Sequence, residues 1–208
     1  SSITSGGLTG AAVYLDAASS NVVRGVYADN AAGSGLAIVG GYGNIVEGST
    51  LTSRAAAFFG FYASVTSSNT LRESVVYSTT GIAAYLEADA HRQTIEYSLF
   101  YASGSFSNHV FEGYGSSYTI RDSLFRTVSV GASGVYIEGA NHVIHRSSVT
   151  TWDGNVFEYG DGYGAHISSS YFRSDNWGLG VALYGYDHTI VWSTASTVRY
   201  IAFENATD

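Results

Sequence analysis

Residues 134–149 read "GVYIEGANHVIHRSSV", and this stretch decides the fold because its pattern recurs along the chain. Taken alone, it places Glu138, His142 and His145 within eight residues, which is typical of a metal site or an acid/base pair. Compared with the rest of the chain, it is one copy of a repeat. An apolar residue equivalent to Ile144 returns every 23 to 25 residues, at Val23, Val46, Leu71, Ile95, Ile120, Ile144, Ile167 and Ile190.

Other positions repeat in step with this apolar residue. A serine follows three residues later in seven copies, at Ser49, Ser74, Ser98, Ser123, Ser147, Ser170 and Ser193. A polar side chain stands two residues before it in most copies, at Asn21, Asn44, Asn69, Gln93, His142 and His188. A second apolar segment, such as "VYIE" at 135–138, precedes each copy and alternates with a period of two, which predicts short strands separated by Gly, Ser and Asn turns.

One unit of about 24 residues cannot bury its own apolar face, but units stacked in parallel can, and each inward position then forms a column of like residues. No segment has the apolar period of a helix. The sequence therefore predicts an all-β parallel solenoid of about eight to nine rungs, in a single domain spanning residues 1–208.

The repeat resembles the parallel β-helix repeat of pectate-lyase-like proteins over residues 8–205. This resemblance implies a right-handed single-stranded parallel β-helix. It is specific for fold and weak for function, because the scaffold serves lyases, hydrolases, epimerases, phage tailspikes, adhesins and passive fibres.

Composition narrows the possible functions. The chain has no Cys and no Lys, so disulfides, thiolate metal sites and lysine Schiff bases are excluded. The net charge of −8, with all nine positive charges on arginines, argues against a nucleic-acid partner. No apolar run approaches the roughly 18 residues that a membrane span needs.

The repeat also indicates structural roles for the two histidines at positions 142 and 145. His142 belongs to the column of turn residues that is asparagine in other rungs, so it is expected to act as a variant of an asparagine ladder. His145 belongs to a column of alternating sign, which predicts an outward charge ladder; its members are Arg24, Glu47, Arg72, Glu96, Arg121 and His145. A ligand or general-base role stays the alternative for His142.

Glutamates form the strongest candidate site. Aligning the second apolar segments predicts one column with a glutamate in four consecutive rungs, at Glu87, Glu112, Glu138 and Glu158. Charges about 4.8 Å apart repel by about 1 kcal/mol in water and by about 3 to 4 kcal/mol at a surface dielectric near 20. Four explanations stay open: carboxylates splayed into solvent, bound Ca²⁺, arginines of a partner molecule, or catalysis. Calcium is the one cofactor that the sequence suggests.

Aromatic residues recur in the turns. The tripeptide "GYG" places Tyr42, Tyr114 and Tyr163, and the near copy "GYD" places Tyr186. Trp152 and Trp177 begin similar loops one rung apart. These residues are expected either to stack between rungs or to form a binding surface for a glycan or a protein.

Signatures of catalysis are weak. Pectate-lyase-like chemistry would need a carboxylate calcium cluster, an Arg or Lys base and a cationic groove. The N-T-D, D-D, G-H-G and R-I-K patterns of polygalacturonase-like enzymes do not occur in the sequence. Carboxylate pairs such as Asp153 with Asp175, or Glu158 with Asp161, could in principle hydrolyse a glycoside, but nothing singles them out.

We therefore expect an extracellular or cell-surface structural protein that assembles with copies of itself into a filament, sheath or adhesive fibre. Neither end of the repeat shows an evident cap, which favours this expectation. The alternative is a polysaccharide-active lyase or hydrolase, or a tailspike-like β-helix that binds a glycan.

Overall fold

A computed structural model describes residues 1–5, 10–104, 109–128, 130–197 and 203–206, with the backbone alone for Trp177 and for residues 203–206. Strands form three parallel sheets, and each turn of the chain contributes one strand to each sheet. The described residues contain no helix. This is the predicted solenoid, and its regularity follows from the period of the sequence.

The strands are numbered in chain order. Sheet A contains β1 (Ser2–Ser5), β4 (Tyr27–Asn30), β7 (Thr50–Ser53), β10 (Val75–Ser78), β13 (Leu99–Ala102), β16 (Leu124–Thr127), β19 (Ser148–Asp153), β22 (Tyr171–Trp177) and β25 (Thr194–Thr197). Sheet B contains β2 (Ala11–Asp16), β5 (Ser34–Val39), β8 (Phe61–Ser64), β11 (Ala84–Leu86), β14 (His109–Gly113), β17 (Ser133–Ala140), β20 (Phe157–Tyr163), β23 (Val181–Tyr184) and β26 (Phe203–Ala206). Sheet C contains β3 (Val22–Arg24), β6 (Ile45–Glu47), β9 (Thr70–Arg72), β12 (Thr94–Glu96), β15 (Thr119–Arg121), β18 (Val143–His145), β21 (His166–Ser168) and β24 (Thr189–Val191).

Sheet C confirms the repeat residue by residue. Its strands pair in the predicted register, so that the eight apolar residues from Val23 to Ile190 are direct neighbours from rung to rung. From Val46 to Ile167 these side chains are buried. They share one core with apolar columns of the other two sheets, such as Leu51, Val76 and Phe100 in sheet A and Leu36, Phe61 and Phe111 in sheet B. Each buried side chain of this size stabilises the fold by roughly 1.5 to 3 kcal/mol.

Two side-chain ladders hold the corners on either side of sheet C. In the serine ladder each hydroxyl accepts the backbone N–H of the equivalent residue one rung earlier, as in Ser49 to Ser74 at 3.2 Å. The same hydroxyl donates to the carbonyl two residues before it, as in Ser74 to Arg72 at 2.8 Å. In the asparagine ladder, Oδ1 of Asn69 accepts the backbone N–H of Asn44 at 2.8 Å. These bonds satisfy buried backbone groups where the chain leaves the sheets.

The segments between sheets A and B vary in length, whereas the corner between sheets C and A has two residues in every described rung. Residues 54–60 form the connection from β7 to β8 and carry Phe58 and Phe59. Phe59 folds back over the outer surface of sheet B, where its ring lies against two tyrosines. This loop therefore covers part of the outer face of sheet B along one edge. No helix in the described part of the chain is long and apolar enough to cross a membrane.

Candidate functional site: an aromatic and acidic face on sheet B

The outer face of sheet B carries the candidate site, and its central column differs from the predicted one. Strand pairing places one residue per rung directly above the next, in the order Tyr14, Ala37, Tyr62, Tyr85, Glu112, Tyr136, Glu158 and Ala182. The prediction that Glu87, Glu112, Glu138 and Glu158 form four consecutive rungs of one column is therefore wrong. Glu112 and Glu158 share the column with Tyr136 between them.

Glu87 and Glu138 lie two residues further along the chain than Tyr85 and Tyr136, which occupy the column in their rungs. A displacement of two residues keeps a side chain on the same face of a strand. All four glutamates consequently belong to one face, but they alternate with tyrosines in two columns. The alignment failed because the segment between sheets B and C varies in length, and a bulge between Ile137 and Gly139 shifts the register of β17.

Tyrosine hydroxyls donate hydrogen bonds to three of these glutamates, and the bond to Glu112 comes from Tyr114 at 3.2 Å. Glu87 accepts hydrogen bonds from the hydroxyls of Tyr62 at 2.5 Å and Ser64 at 2.6 Å. Glu138 accepts one from Tyr136. Burial and the hydrogen bond to Glu87 raise the pKa of Tyr62 to about 12, and burial followed by the bond to Glu138 raises the pKa of Tyr136 as well. Both phenols therefore stay protonated and act as donors to the carboxylates.

Glu112 and Glu158 share a histidine. Nδ1 of His109 lies 2.7 Å from Glu112, and its Nε2 lies 3.7 Å from Glu158. Burial opposes protonation of His109, but the hydrogen bond to Glu112 and the ion pair with Glu158 outweigh it and raise its pKa. The ion pair with His109 lowers the pKa of Glu158 despite partial burial. His109 lies between two carboxylates across the rung of Tyr136, whose ring it contacts at 5.1 Å, and it pairs with both when it is protonated.

Aromatic rings form a continuous surface between the carboxylates. Phe59 lies 4.7 Å from Tyr85 and 5.6 Å from Tyr62, with both interplanar angles at 14°. Tyr85 contacts Tyr114 at 5.6 Å, and Tyr114 contacts Tyr136 at 5.7 Å. The tyrosines are half-buried, so part of each ring faces solvent.

A groove of about 670 Å³ lies at the Phe59 end of this surface. Its floor and walls include Tyr14, Ala37, Phe59, Tyr62 and Glu87. The small side chain of Ala37 interrupts the tyrosine column, and the loop of residues 54–60 closes one side. The groove and the aromatic surface together make the candidate site, which extends from Tyr14 to Glu158.

The predicted turn aromatics divide into separate groups. Tyr114 belongs to the candidate site. Tyr163 and Tyr186 stack on each other at 5.4 Å, which confirms the predicted stacking for this pair. Tyr42 is 61% exposed in its turn, and Trp152 is 48% exposed on sheet A. The side chain of Trp177 lies outside the described residues, so these aromatics form no single surface in the described structure.

The first glycine of two "GYG" motifs is required by space, and Gly41 also has a positive φ of 77°. A Cβ on Gly162 would lie 1.9 Å from the carbonyl oxygen of Gly139 in the rung before, and one on Gly41 would lie 2.0 Å from that of Ala18. These positions explain why glycine precedes Tyr42 and Tyr163.

The structure confirms the interpretation of His142 as a ladder residue. Its Nδ1 accepts the backbone N–H of Tyr118 at 3.1 Å, and its Nε2 donates to the carbonyl of Glu138 at 3.0 Å. His188 makes the equivalent contact with Ala165 at 3.3 Å. Both nitrogens of His142 are thus occupied by backbone groups, as expected of a structural residue.

The charge ladder is also confirmed. Glu47 pairs with Arg24 in the preceding rung and Arg72 in the following rung, and Arg121 pairs with Glu96. At the end of the column, Nδ1 of His145 contacts the hydroxyl of Ser168 at 2.9 Å. No group of three or more His, Asp or Glu side chains among the described residues is arranged to hold a metal ion. Calcium binding at the glutamates stays a prediction.

Sequence reasoning missed His109, Phe59, Tyr62, Tyr85 and Tyr136 as site residues. A signal existed for three of them, because Tyr62, Tyr85 and Tyr136 alternate with buried residues in short apolar segments and so face outward together. Phe59 and His109 carried no such signal. Phe59 lies in a loop of variable length, and His109 has no equivalent histidine in the neighbouring rungs.

Comparison with known proteins supports the architecture. Residues 1–125 match the family described as "Right handed beta helix region". No curated protein matches the chain, and no solved structure does. Together with the three parallel sheets and their ladders, the match shows that the chain belongs to the right-handed β-helix family.

Proposed function

We propose that the protein binds an oligosaccharide or polysaccharide along the outer face of sheet B. The observation that carries this proposal is the partly exposed aromatic surface formed by Phe59, Tyr62, Tyr85, Tyr114 and Tyr136. The C–H faces of pyranose rings pack against flat aromatic rings, and sites of this kind combine such surfaces with a few precisely placed polar groups.

Polar groups of the required type surround the rings. Each carboxylate of Glu87 and Glu138 accepts a hydrogen bond from a tyrosine and keeps lone pairs for a further donor, such as a sugar hydroxyl. These bonds also hold the carboxylates in place before a ligand arrives, which reduces the entropy that binding costs.

Spacing supports the same proposal. Successive rungs of a parallel sheet lie about 4.8 Å apart, which is close to the length of one pyranose unit in an extended chain. Tyr85 and Tyr136 occupy the column two rungs apart, with Glu112 between them. A saccharide chain lying along the solenoid axis would therefore meet alternating ring faces and carboxylates.

Glycan-array binding tests the proposal with matched variants. Tyr85→Ala removes a ring from the centre of the surface. Tyr101→Ala removes a stacked ring of the same type from sheet A, where Tyr77 and Tyr101 lie 5.3 Å apart. We expect Tyr85→Ala to abolish or strongly weaken glycan binding and Tyr101→Ala to leave it unchanged. Equal loss in both variants, or no binding by the native protein, would contradict the proposal.

A second candidate function, lateral self-association, is supported by one observation on sheet A. Val75, Leu99 and Leu124 are direct neighbours on its outer surface, and Val75 and Leu124 are 37% and 39% exposed. A contiguous apolar stripe is typical of an interface. Sedimentation of the native protein and of Leu124→Arg tests this candidate, because loss of a native oligomer in the variant would place the contact on this stripe. Assembly into filaments and an extracellular location stay predictions.

A further inference from the structure

The groove beside Ala37 lies between two tyrosines of the central column. In the central column of sheet B, Tyr14 and Tyr62 stand one rung on either side of Ala37. Two rungs span about 9.6 Å, and the short side chain of Ala37 is buried at the floor of the groove between these two tyrosines. The ring of Phe59 and the side chain of Ala37 line the same space.

The groove carries a negative charge that the protein does not neutralise. Glu87 lines it and receives hydrogen bonds from two neutral hydroxyls, those of Tyr62 and Ser64. Within the described residues, the ion pairs formed by arginines and histidines leave Glu87 without a cationic partner. The surrounding tyrosine and phenylalanine faces present the negative side of their quadrupoles, which also attracts a cation.

We infer that this groove binds a sugar unit bearing a free amino group, so that the glycan preferred by the site contains 2-amino-2-deoxy sugars. The inference rests on the proposed function and adds the class of sugar. An ammonium group would pair with Glu87 while the pyranose ring packs between Tyr14 and Tyr62. N-acetylation removes the charge and adds bulk. A uronate carries a charge of the same sign as Glu87, Glu112, Glu138 and Glu158, and is repelled.

Calorimetric titration with three defined probes tests the inference at mildly acidic pH, where the amine carries a proton. The probes are a hexamer of glucosamine, a hexamer of N-acetylglucosamine and an oligogalacturonate. We expect the native protein to bind the glucosamine hexamer about tenfold more tightly than its acetylated form, as a single charge pair against an aromatic wall implies. Oligogalacturonate is expected not to bind.

Two substitutions locate the effect. Glu87→Gln keeps the shape of the side chain and is expected to remove the preference for the amino sugar while leaving the acetylated hexamer bound. Ala37→Tyr adds a tyrosine to the central column and is expected to fill the groove. It should weaken binding of the glucosamine hexamer at least as much as Glu87→Gln does. Thr52→Tyr is the matched control, because it adds a tyrosine beside Tyr77 on sheet A instead. If Ala37→Tyr fails to fold, Glu87→Gln alone decides the outcome.

The results separate this inference from the proposed function. Binding of both hexamers with equal affinity would overturn the amino-sugar inference and leave glycan binding intact, whereas binding of neither would contradict both. A lysine hexapeptide that binds as tightly as the glucosamine hexamer, and loses affinity equally in Glu87→Gln, would show a general cation site and overturn the inference. An unchanged preference in Glu87→Gln would overturn it as well.

Discussion

Replacing His142 with asparagine should change how the stability of the protein depends on pH. His142 is fully buried, with its ring 4.8 Å from Tyr118 and 5.5 Å from Tyr159. Burial lowers its pKa from 6.5 to about 4, although the hydrogen bond to the carbonyl of Glu138 opposes the shift. The folded protein therefore holds this histidine neutral at pH values where the unfolded chain protonates it.

The magnitude follows from the shift. A decrease of about 2.5 pKa units corresponds to about 3 kcal/mol, since each unit is worth about 1.4 kcal/mol. Because the folded pKa is the lower one, the contribution of His142 is complete above about pH 6.5. It declines as the pH falls, and it is fully lost below about pH 4.

Asparagine removes this titration and keeps the ladder. In the same column, Oδ1 of Asn44 accepts the backbone N–H of Asn21 at 3.0 Å, so an asparagine at position 142 can accept the N–H of Tyr118. Loss of the buried ring should cost His142→Asn about 1 to 3 kcal/mol at neutral pH. Between pH 7 and pH 4 the native protein should lose about 3 kcal/mol relative to the variant, so the variant should become as stable as the native protein or more stable by up to about 2 kcal/mol.

Urea unfolding at a series of pH values measures this difference. Gln93→Asn is the matched control, because it changes a buried residue of the same column that does not titrate, and its effect should not vary with pH. A stability difference for His142→Asn that stays constant from pH 7 to pH 4 would refute the reasoning.

Three further changes test other parts of the structure. Ser74→Ala should cost about 1 to 3 kcal/mol because it leaves the buried N–H of Ser49 without an acceptor, whereas the exposed Ser196→Ala should change the free energy of unfolding by less than about 0.5 kcal/mol. His109→Asn should cost most below the ordinary histidine pKa, and the cost should decline as the pH rises through the raised pKa of His109, which urea unfolding at several pH values measures. Gly162→Ala should lower the melting temperature, because its Cβ would lie 1.9 Å from a backbone oxygen of the preceding rung. A melting temperature equal to that of the native protein would contradict that account.

The fold could be predicted from the sequence because its columns repeat with a strict period of 23 to 25 residues. The spacing from Val23 to Ile190 fixed the register of sheet C, and the serines and asparagines beside it marked both corners. The corner between sheets C and A has the same number of residues from rung to rung. Sequence alignment and strand pairing therefore agree there.

The site could be predicted only in part. Glu87, Glu112, Glu138 and Glu158 were expected on one face, and they lie on one face, but not in one column. A shift of two residues preserves the alternation that the sequence shows, so periodicity alone cannot detect it. The position of Phe59 depends on the path of the loop at residues 54–60, and His109 lies in a strand of the repeat but pairs with a serine, Ser133, so no column of like residues marks either side chain.

Hydroxyl-radical footprinting of tyrosine side chains tests the central claim most directly, because it reports which rings a bound glycan covers. The native protein is compared with and without a saturating oligosaccharide identified by the glycan array. Tyr62, Tyr85, Tyr114 and Tyr136 should become protected, while Tyr77 and Tyr101 on sheet A should react as before. Protection of the sheet A tyrosines, or no protection on sheet B despite binding, would contradict the assignment of the glycan site to the outer face of sheet B.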